Sequence, residues 1–306
     1  MQLGRLLAYF VLGQAALAAA VSLPLRIVTF NIRYATSSLE SNEKPWWDLF
    51  CFISSSRCRE RRLVGLLQSI SDAAPAGAVT IMGLQEVLHN QLSDIKNGLG
   101  SNWDHVGFGR DDGAESGEYS PILYRTDVLT LVYSEMKWLS PTPDVVSYGW
   151  NAGSRRVVTI GVFQDITTGK RFIHADTHLD NVSSEARIEG IKVVVARIEA
   201  VQAIYGPLGV TLTGDFNSDP NGDAYSTLQN LGYLTEIWNS GAQRLGTNQL
   251  TYTGFTTTGI SRIDYIWLGP NPDTFYSAQQ FEIWSNIVDG TIVSDHRPIV
   301  ADITLL

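Results

Sequence analysis

Nine short runs of apolar, largely β-branched residues are strung along the chain, and they restrict it to a fold built on sheets. They occupy residues 25–32, 79–87, 120–125, 129–139, 155–166, 171–179, 209–216, 262–268 and 299–306. Helical signals are fewer. Residues 183–206 open on serines suited to an N-cap, after which Ile188, Ile191, Val195, Ile198 and Val201 recur at helical spacing. Residues 59–70 and 88–99 are shorter amphipathic candidates. Many strands with a few interspersed helices predict two stacked sheets with helices outside. Pro and Gly clusters at 141–153 and 219–222 read as loops, and none reads as a domain linker.

A chain of 306 residues, 44% of them hydrophobic, has ample material for a core. Its first 20 residues have another layout: Arg5, an apolar run, then small residues around Ala18 and Ala20. That is the pattern of a secretory signal peptide, and the run is short of the roughly 20 residues of a membrane span. We therefore expect a cleaved leader over 1–20, one domain over 21–306 and a secreted, monomeric product. The net charge of −9 becomes −10 once Arg5 is removed. An acidic chain does not recruit nucleic acid through bulk charge, though a locally basic cleft remains compatible with it. Cys51 and Cys58 are the only cysteines and are available to pair in an oxidising compartment. Asn181-Val182-Ser183 is the single glycosylation sequon.

The strand ends carry the functional signal. Runs that enter ordinary loops end on Gly, Ser or Pro. Here one ends on Asn31, one on Glu86, one on His178 and one on Asp215 and Asn217; Asp264 starts another, and "TIVSDH" ends on Asp295 and His296. Convergence of these six segments would make a site of oxygen ligands plus two histidines. Such a donor set favours Mg²⁺, Mn²⁺ or Ca²⁺ over Zn²⁺, with Mg²⁺ first and Mn²⁺ next. Motifs for a zinc protease, a serine hydrolase elbow and a nucleotide-binding P-loop are all absent. What the set suits is attack of water on a phosphate ester.

Seven motifs in order, "TFNIRY", "GLQEV", "GEYSPILYR", "DTHLD", "TGDFN", "RIDYI" and "SDHRPIV", resemble those of the endonuclease/exonuclease/phosphatase superfamily from about residue 25 to the C-terminus. The resemblance implies a four-layer α/β/β/α sandwich of two mainly antiparallel sheets flanked by helices, the DNase I-like fold. It implies that Glu86 is the principal metal ligand, with Asn31 and Asp295 at the metal or its waters. Asp215 and Asn217 would orient the attacking water and stabilise the phosphoryl group. His296 would pair with Asp264, and His178 would donate to the phosphate or leaving oxygen, oriented by Glu118. Which histidine is the base stays open. Substrates would be phosphate esters, with RNA or DNA first and small phosphorylated molecules second. An inactive binding module is the non-enzyme alternative.

Other residues have plainer readings. His174 reads as structural, and His89 and His105 as exposed or satisfied. Arg33 and Arg156 either hold a phosphate or sit in internal ion pairs, and Arg110-Asp111-Asp112-Gly113 is either a charged turn or a lining of the pocket, where Arg110 would meet substrate. Trp138, Trp150, Trp267 and Trp284 read as core. Residues 47–58 depart from the family pattern: they are an apolar insertion closed by a disulfide, or an extraneous segment, beside a pocket wall at Trp46 and Trp47. No exposed apolar hairpin is evident, so no stable membrane association is expected.

Overall fold

In the computed structural model, residues 22–54, 57–272 and 274–306 are described; the leader expected over 1–20 lies outside them. In chain order the first half contains β1 (Leu23–Asn31), α1 (Glu60–Asp72), β2 (Val79–Gln85), α2 (His89–Leu99), β3 (Trp103–Val106), β4 (Ile122–Arg125), β5 (Leu129–Trp138) and β6 (Val157–Asp165). Then come β7 (Arg171–His178), α3 (Ser184–Tyr205), β8 (Gly209–Asp215), α4 (Asp223–Leu231), β9 (Thr235–Glu236), β10 (Gln243–Leu245) and β11 (Asp264–Gly269). The chain closes with β12 (Tyr276–Ile283), the hairpin β13 (Ile287–Val288) and β14 (Thr291–Ile292), and β15 (Ile299–Leu305). All nine sequence runs form strands.

Two sheets result, ordered β10-β12-β15-β1-β2-β4-β3 and β5-β6-β7-β8-β11-β9. Most neighbours are antiparallel; β1 with β2, β7 with β8 and β10 with β12 are parallel. Alternation along each strand builds three apolar layers. Leu25, Ile27, Ile81 and Ile122 of the first sheet meet Phe163, Phe172 and Ile266 of the second. The other face of the first sheet, through Phe30, Met82 and Leu84, packs on Leu63 and Leu67 of α1 and Ile95 of α2. The second sheet's outer face, through Ile160, Ala175 and Leu212, packs on Ile191, Val195 and Ile198 of α3 and Leu228 of α4. These layers make the α/β/β/α sandwich. Each fully buried Ile or Leu contributes about 1.5–3 kcal/mol over an exposed one.

The long helix α3 is N-capped as its sequence predicts, with Ser183 Oγ accepting from Ala186 N at 3.2 Å. It ends at Gly206, whose φ of 87° suits glycine. Ile188 is not on the buried stripe and sits half-exposed beside it. No helix among the described residues is long and apolar enough to cross a membrane.

The insertion is closed by a Cys51–Cys58 disulfide. Within it, Leu49–Phe52 forms one 3-10 turn capped by Asp48, whose Oδ1 accepts from Phe50 N at 2.7 Å. The insertion exposes apolar residues, though not on a hairpin. Leu49, Phe52 and Ile53 are 75%, 74% and 80% exposed, because a single turn is too short to fold an apolar face back onto the core. Trp46 and Trp47 wall a cavity of about 720 Å³ with Ala35, Leu39 and Asp94.

Candidate active site

Strand direction explains why polar residues gather at one rim. Parallel β1 and β2 deliver Asn31 and Glu86 at the same end of the first sheet, and parallel β7 and β8 deliver His178 and Asp215 side by side in the second. Antiparallel β11 contributes its start instead, so Asp264 lies opposite Asp215. Likewise β15 runs against β1, and the loop that enters it carries Asp295 and His296 over the end of β1. The six segments therefore converge.

Contacts cross from sheet to sheet. Asn31 Nδ2 donates to Glu86 Oε1 at 3.0 Å and to Asp215 Oδ2 at 2.9 Å. Glu86 Oε2 accepts from Tyr34 N at 3.2 Å. Asn217 N donates to Asp215 Oδ1 at 2.9 Å, and its side-chain amide lies 3.0 Å from His178 Nε2. His296 Nδ1 sits 2.9 Å from Asp264 Oδ2, while its Nε2 lies 3.7 Å from Asp215 Oδ2. From the other side His178 Nε2 stands 3.6 Å from that same oxygen. Asp215 is the hub. Glu86, Asn217 and Arg33 adopt positive φ of 61°, 46° and 60°, conformations uncommon outside glycine and held here by the surrounding bonds.

Burial and crowding set the charges. Burial first, then the neighbouring Asp264 carboxylate, push Asp215 up to about 7. Burial raises Glu118 to about 7, with Glu86 adding to the effect. It also raises Asp295 to about 6, against the attraction of His296. Burial opposes charge on His296, but Asp264 and Asp215 outweigh it and hold the imidazolium well above its ordinary range. His178 goes the other way: burial, then Arg156 and Arg110, keep it neutral well below that range. The two histidines are in opposite states.

The sequence from residue 28 to 296 matches the family model described as the endonuclease/exonuclease/phosphatase family. The chain belongs to that family. Among solved structures, an endonuclease/exonuclease/phosphatase family protein from Bacteroides thetaiotaomicron superimposes with a TM-score of 0.82 at 27% identity, over 94% of this chain and 97% of that one. A mannosyl-6-phosphatase from the same organism gives 0.79 at 28% identity, over 91% and 99%. A family protein from Bacteroides vulgatus gives 0.75 at 31%, over 92% and 99%. No curated protein matches the sequence. Members of the endonuclease/exonuclease/phosphatase family are phosphoesterases, and the DNase I-like sandwich is their fold.

Within this family frame, some expected contacts are not made. Glu118 lies 3.9 Å from His178 Nδ1, beyond a hydrogen bond, and accepts instead from Arg110 Nη2 at 2.7 Å. Asn217, not Glu118, is the partner of the His178 ring. The three arginines weighed as phosphate ligands are all in internal ion pairs. Arg33 binds Glu43 and Glu40, Arg110 binds Glu118, and buried Arg156 binds Asp180 and Asn181. Arg110-Asp111-Asp112-Gly113 forms a turn, with Asp112 Oδ1 accepting from Ala114 N and Ser116 N. His174 is fully buried against Thr211, and Trp138 and Trp267 are core residues.

Supporting residues escaped the sequence reading. Buried Arg59 donates to the backbone oxygens of Ile32, Arg33 and Tyr34 and shapes the loop after Asn31. Ser294 Oγ donates to Asn31 O at 2.6 Å, tying the Asp295 loop to β1. Arg59 carries no sequence signal that separates it from its charged helix neighbours; Ser294 was adjacent to a recognised acid.

The donor set fits a hard divalent cation. Asp295 is buried and accepts one long side-chain bond, 3.3 Å from Ser294 Oγ, and the Glu86 carboxylate nearby adds to the cost of ionising it. Asp215, Asp264 and His296 also lie together, their ligand atoms within 4.8 Å. That cluster is better read as an ion-paired dyad: His296 faces Asp264 through Nδ1 and carries a proton, and an imidazolium repels a metal.

Proposed function

We propose that this protein is a secreted, divalent-metal-dependent phosphoesterase that hydrolyses small phosphorylated molecules, phosphate monoesters of sugars or similar polyols foremost. The observation that carries the reading is the side-by-side placement of an oxygen-donor group, Asn31, Glu86 and Asp295, and a charged His296–Asp264 pair sharing the hub Asp215.

Glu86 and Asp295 would hold Mg²⁺, with Asn31 bracing Glu86. A bound Mg²⁺ ion would neutralise charge that develops on the phosphoryl oxygens. Asp215 orients the attacking water, and a carboxyl near 7 is suited to take its proton at neutral pH. His296 enters charged, held by Asp264, and stabilises the phosphoryl oxygens or gives its proton to the leaving oxygen. His178 is neutral and fixed by Asn217, so it serves as a positioned hydrogen-bond group.

On substrate, this reverses the ranking that puts nucleic acid first. Nucleic-acid backbones are bound through clustered cations, whereas the net charge is −9 and Arg33, Arg110 and Arg156 are spoken for internally. Likeness to a mannosyl-6-phosphatase at 28% identity supports the small-molecule class. The leader pattern, the Cys51–Cys58 disulfide and exposed Asn181 in the sequon support secretion.

The test is a panel of hexose 6-phosphates, p-nitrophenyl phosphate, bis-p-nitrophenyl phosphate, RNA and DNA, each with Mg²⁺ or with excess chelator. We expect Mg²⁺-dependent release of phosphate from monoesters, and a fall in Glu86→Gln that high Mg²⁺ partly restores. Turnover confined to RNA or DNA would overturn the substrate class, and full turnover in chelator would overturn the metal.

A further inference from the structure

Directly beneath the site lies a second polar layer. Thr29, Gln85, Asp176 and Thr213 are fully buried between the sheets. On β1, β7 and β8 they stand two residues before Asn31, His178 and Asp215, on the same strand face; Gln85 immediately precedes Glu86. Gln85 Nε2 donates to Asp176 Oδ1 at 2.7 Å and lies 3.2 Å from Thr29 Oγ1. Thr213 Oγ1 lies 2.7 Å from the same Asp176 oxygen. Gly83 is what lets the sheets approach this closely, since a Cβ there would collide with Asp176 Oδ1 and Thr213 Oγ1.

We propose that Asp176 is a positioning residue: one oxygen accepts from Gln85 across the gap between the sheets while Thr213, on the neighbouring strand, holds that oxygen in place, and so the sheet bearing Asn31 and Glu86 is fixed against the sheet bearing His178 and Asp215. Like the reading above on which it rests, it concerns phosphoester hydrolysis, but Asp176 touches none of the reacting groups. The Asn31–Asp215 bond at 2.9 Å joins the same two sheets one layer up, and a shift of either sheet breaks it. Asp176 acts as an uncharged group. Among the described residues no cationic side chain bonds it, its Oδ2 is buried without a partner, and burial holds the carboxyl well above its usual range. A proton on it adds one donor to a layer where Asp176 Oδ2 and Gln85 Oε1 both lack a partner.

An amide of the same shape should therefore replace it, and a methyl should not. Asp176→Asn is expected to keep kcat within about threefold of wild type. Asp176→Ala should lose about 10- to 100-fold in kcat with KM little changed, the range seen when outer partners of a site are removed. Thr213→Val, which keeps the volume and removes the hydroxyl that bonds Asp176 and also meets Ala175 O and His174, should fall between them and guards against a misfolded alanine variant. Crystal structures of the variants read the positioning whether or not the chosen substrate turns over: the Asn31–Asp215 bond should persist in Asp176→Asn and open in Asp176→Ala or Thr213→Val. Equal damage from asparagine and alanine, or an unmoved bond in both truncated variants, overturns the proposal. An inactive wild type with these bond changes intact would count against the phosphoesterase reading alone.

Discussion

Asp215 concentrates the chemistry of the molecule in one side chain. It accepts from Asn31 and Asn217, faces His178 and His296, and is raised to about 7 by burial and by Asp264. A residue selected for stability would not be left so crowded with charge. Asp215→Asn removes the charge and keeps the shape, so the metal-free fold should melt at or above the wild-type temperature. Turnover should drop by about 10²- to 10⁴-fold, the usual contribution of an orienting or proton-transferring group. Thermal melting beside steady-state rate checks both halves; near wild-type rate would reduce the strand end to a turn.

At the scale of elements, the meeting of β2 with β7 and β8 is the tight joint. Gly83 occupies the one place where strand β2 has no side chain to offer, and Asp176 and Thr213 fill that space. Gly83→Ala leaves the backbone conformation permissible but forces the sheets apart. We expect a loss of about 1–3 kcal/mol, as for other overpacked sites, read from denaturant midpoints at constant slope. Elements that the sequence left unread fail for related reasons. β12 alternates exposed and half-buried residues along most of its length, and a bulge between Ala278 and Gln280 breaks the period of its apolar residues, while α4 buries only Ala224, Tyr225 and Leu228 in nine residues. Both are stabilised by the neighbour they pack on rather than by their own pattern.

Across the whole molecule, acid stability follows from histidines buried without charge. Burial lowers His174 from 6.5 to about 3. The unfolded chain therefore takes up that proton first as pH falls. The stability this residue contributes is fully present above 6.5 and is lost as pH drops toward 3, on the order of 5 kcal/mol across the window. Asp176 and the site carboxylates shift upward and act in the opposite sense, so the total curve is a poor probe and a difference is required. The melting gap between wild type and His174→Gln should be widest near neutral pH and shrink steadily in acid. A gap independent of pH would show that His174 is not buried neutral.

Composition and periodicity alone determined that this chain must form sheets, because β-branched runs of strand length bury themselves best on a pleated surface. Motif order determined the family and named Asn31, Glu86, His178, Asp215, Asn217, Asp264, Asp295 and His296, since each lies at a strand end or in the short loop beside one, and strand ends are visible in sequence. Which of them touch was decided only by the tertiary structure. Parallel and antiparallel pairing place β7 beside β8 and β11 opposite it, and nothing local to those strands encodes that choice. The same holds for Glu118, drawn to Arg110 instead of His178, and for Arg33 and Arg156, whose partners lie 10 and 24 positions away. The inter-sheet layer of Thr29, Gln85, Asp176 and Thr213 was invisible for the same reason. Its four residues come from four strands, and a polar residue inside a strand reads as an anomaly until its partner on a neighbouring strand or, for Gln85 and Asp176, on the facing sheet is known.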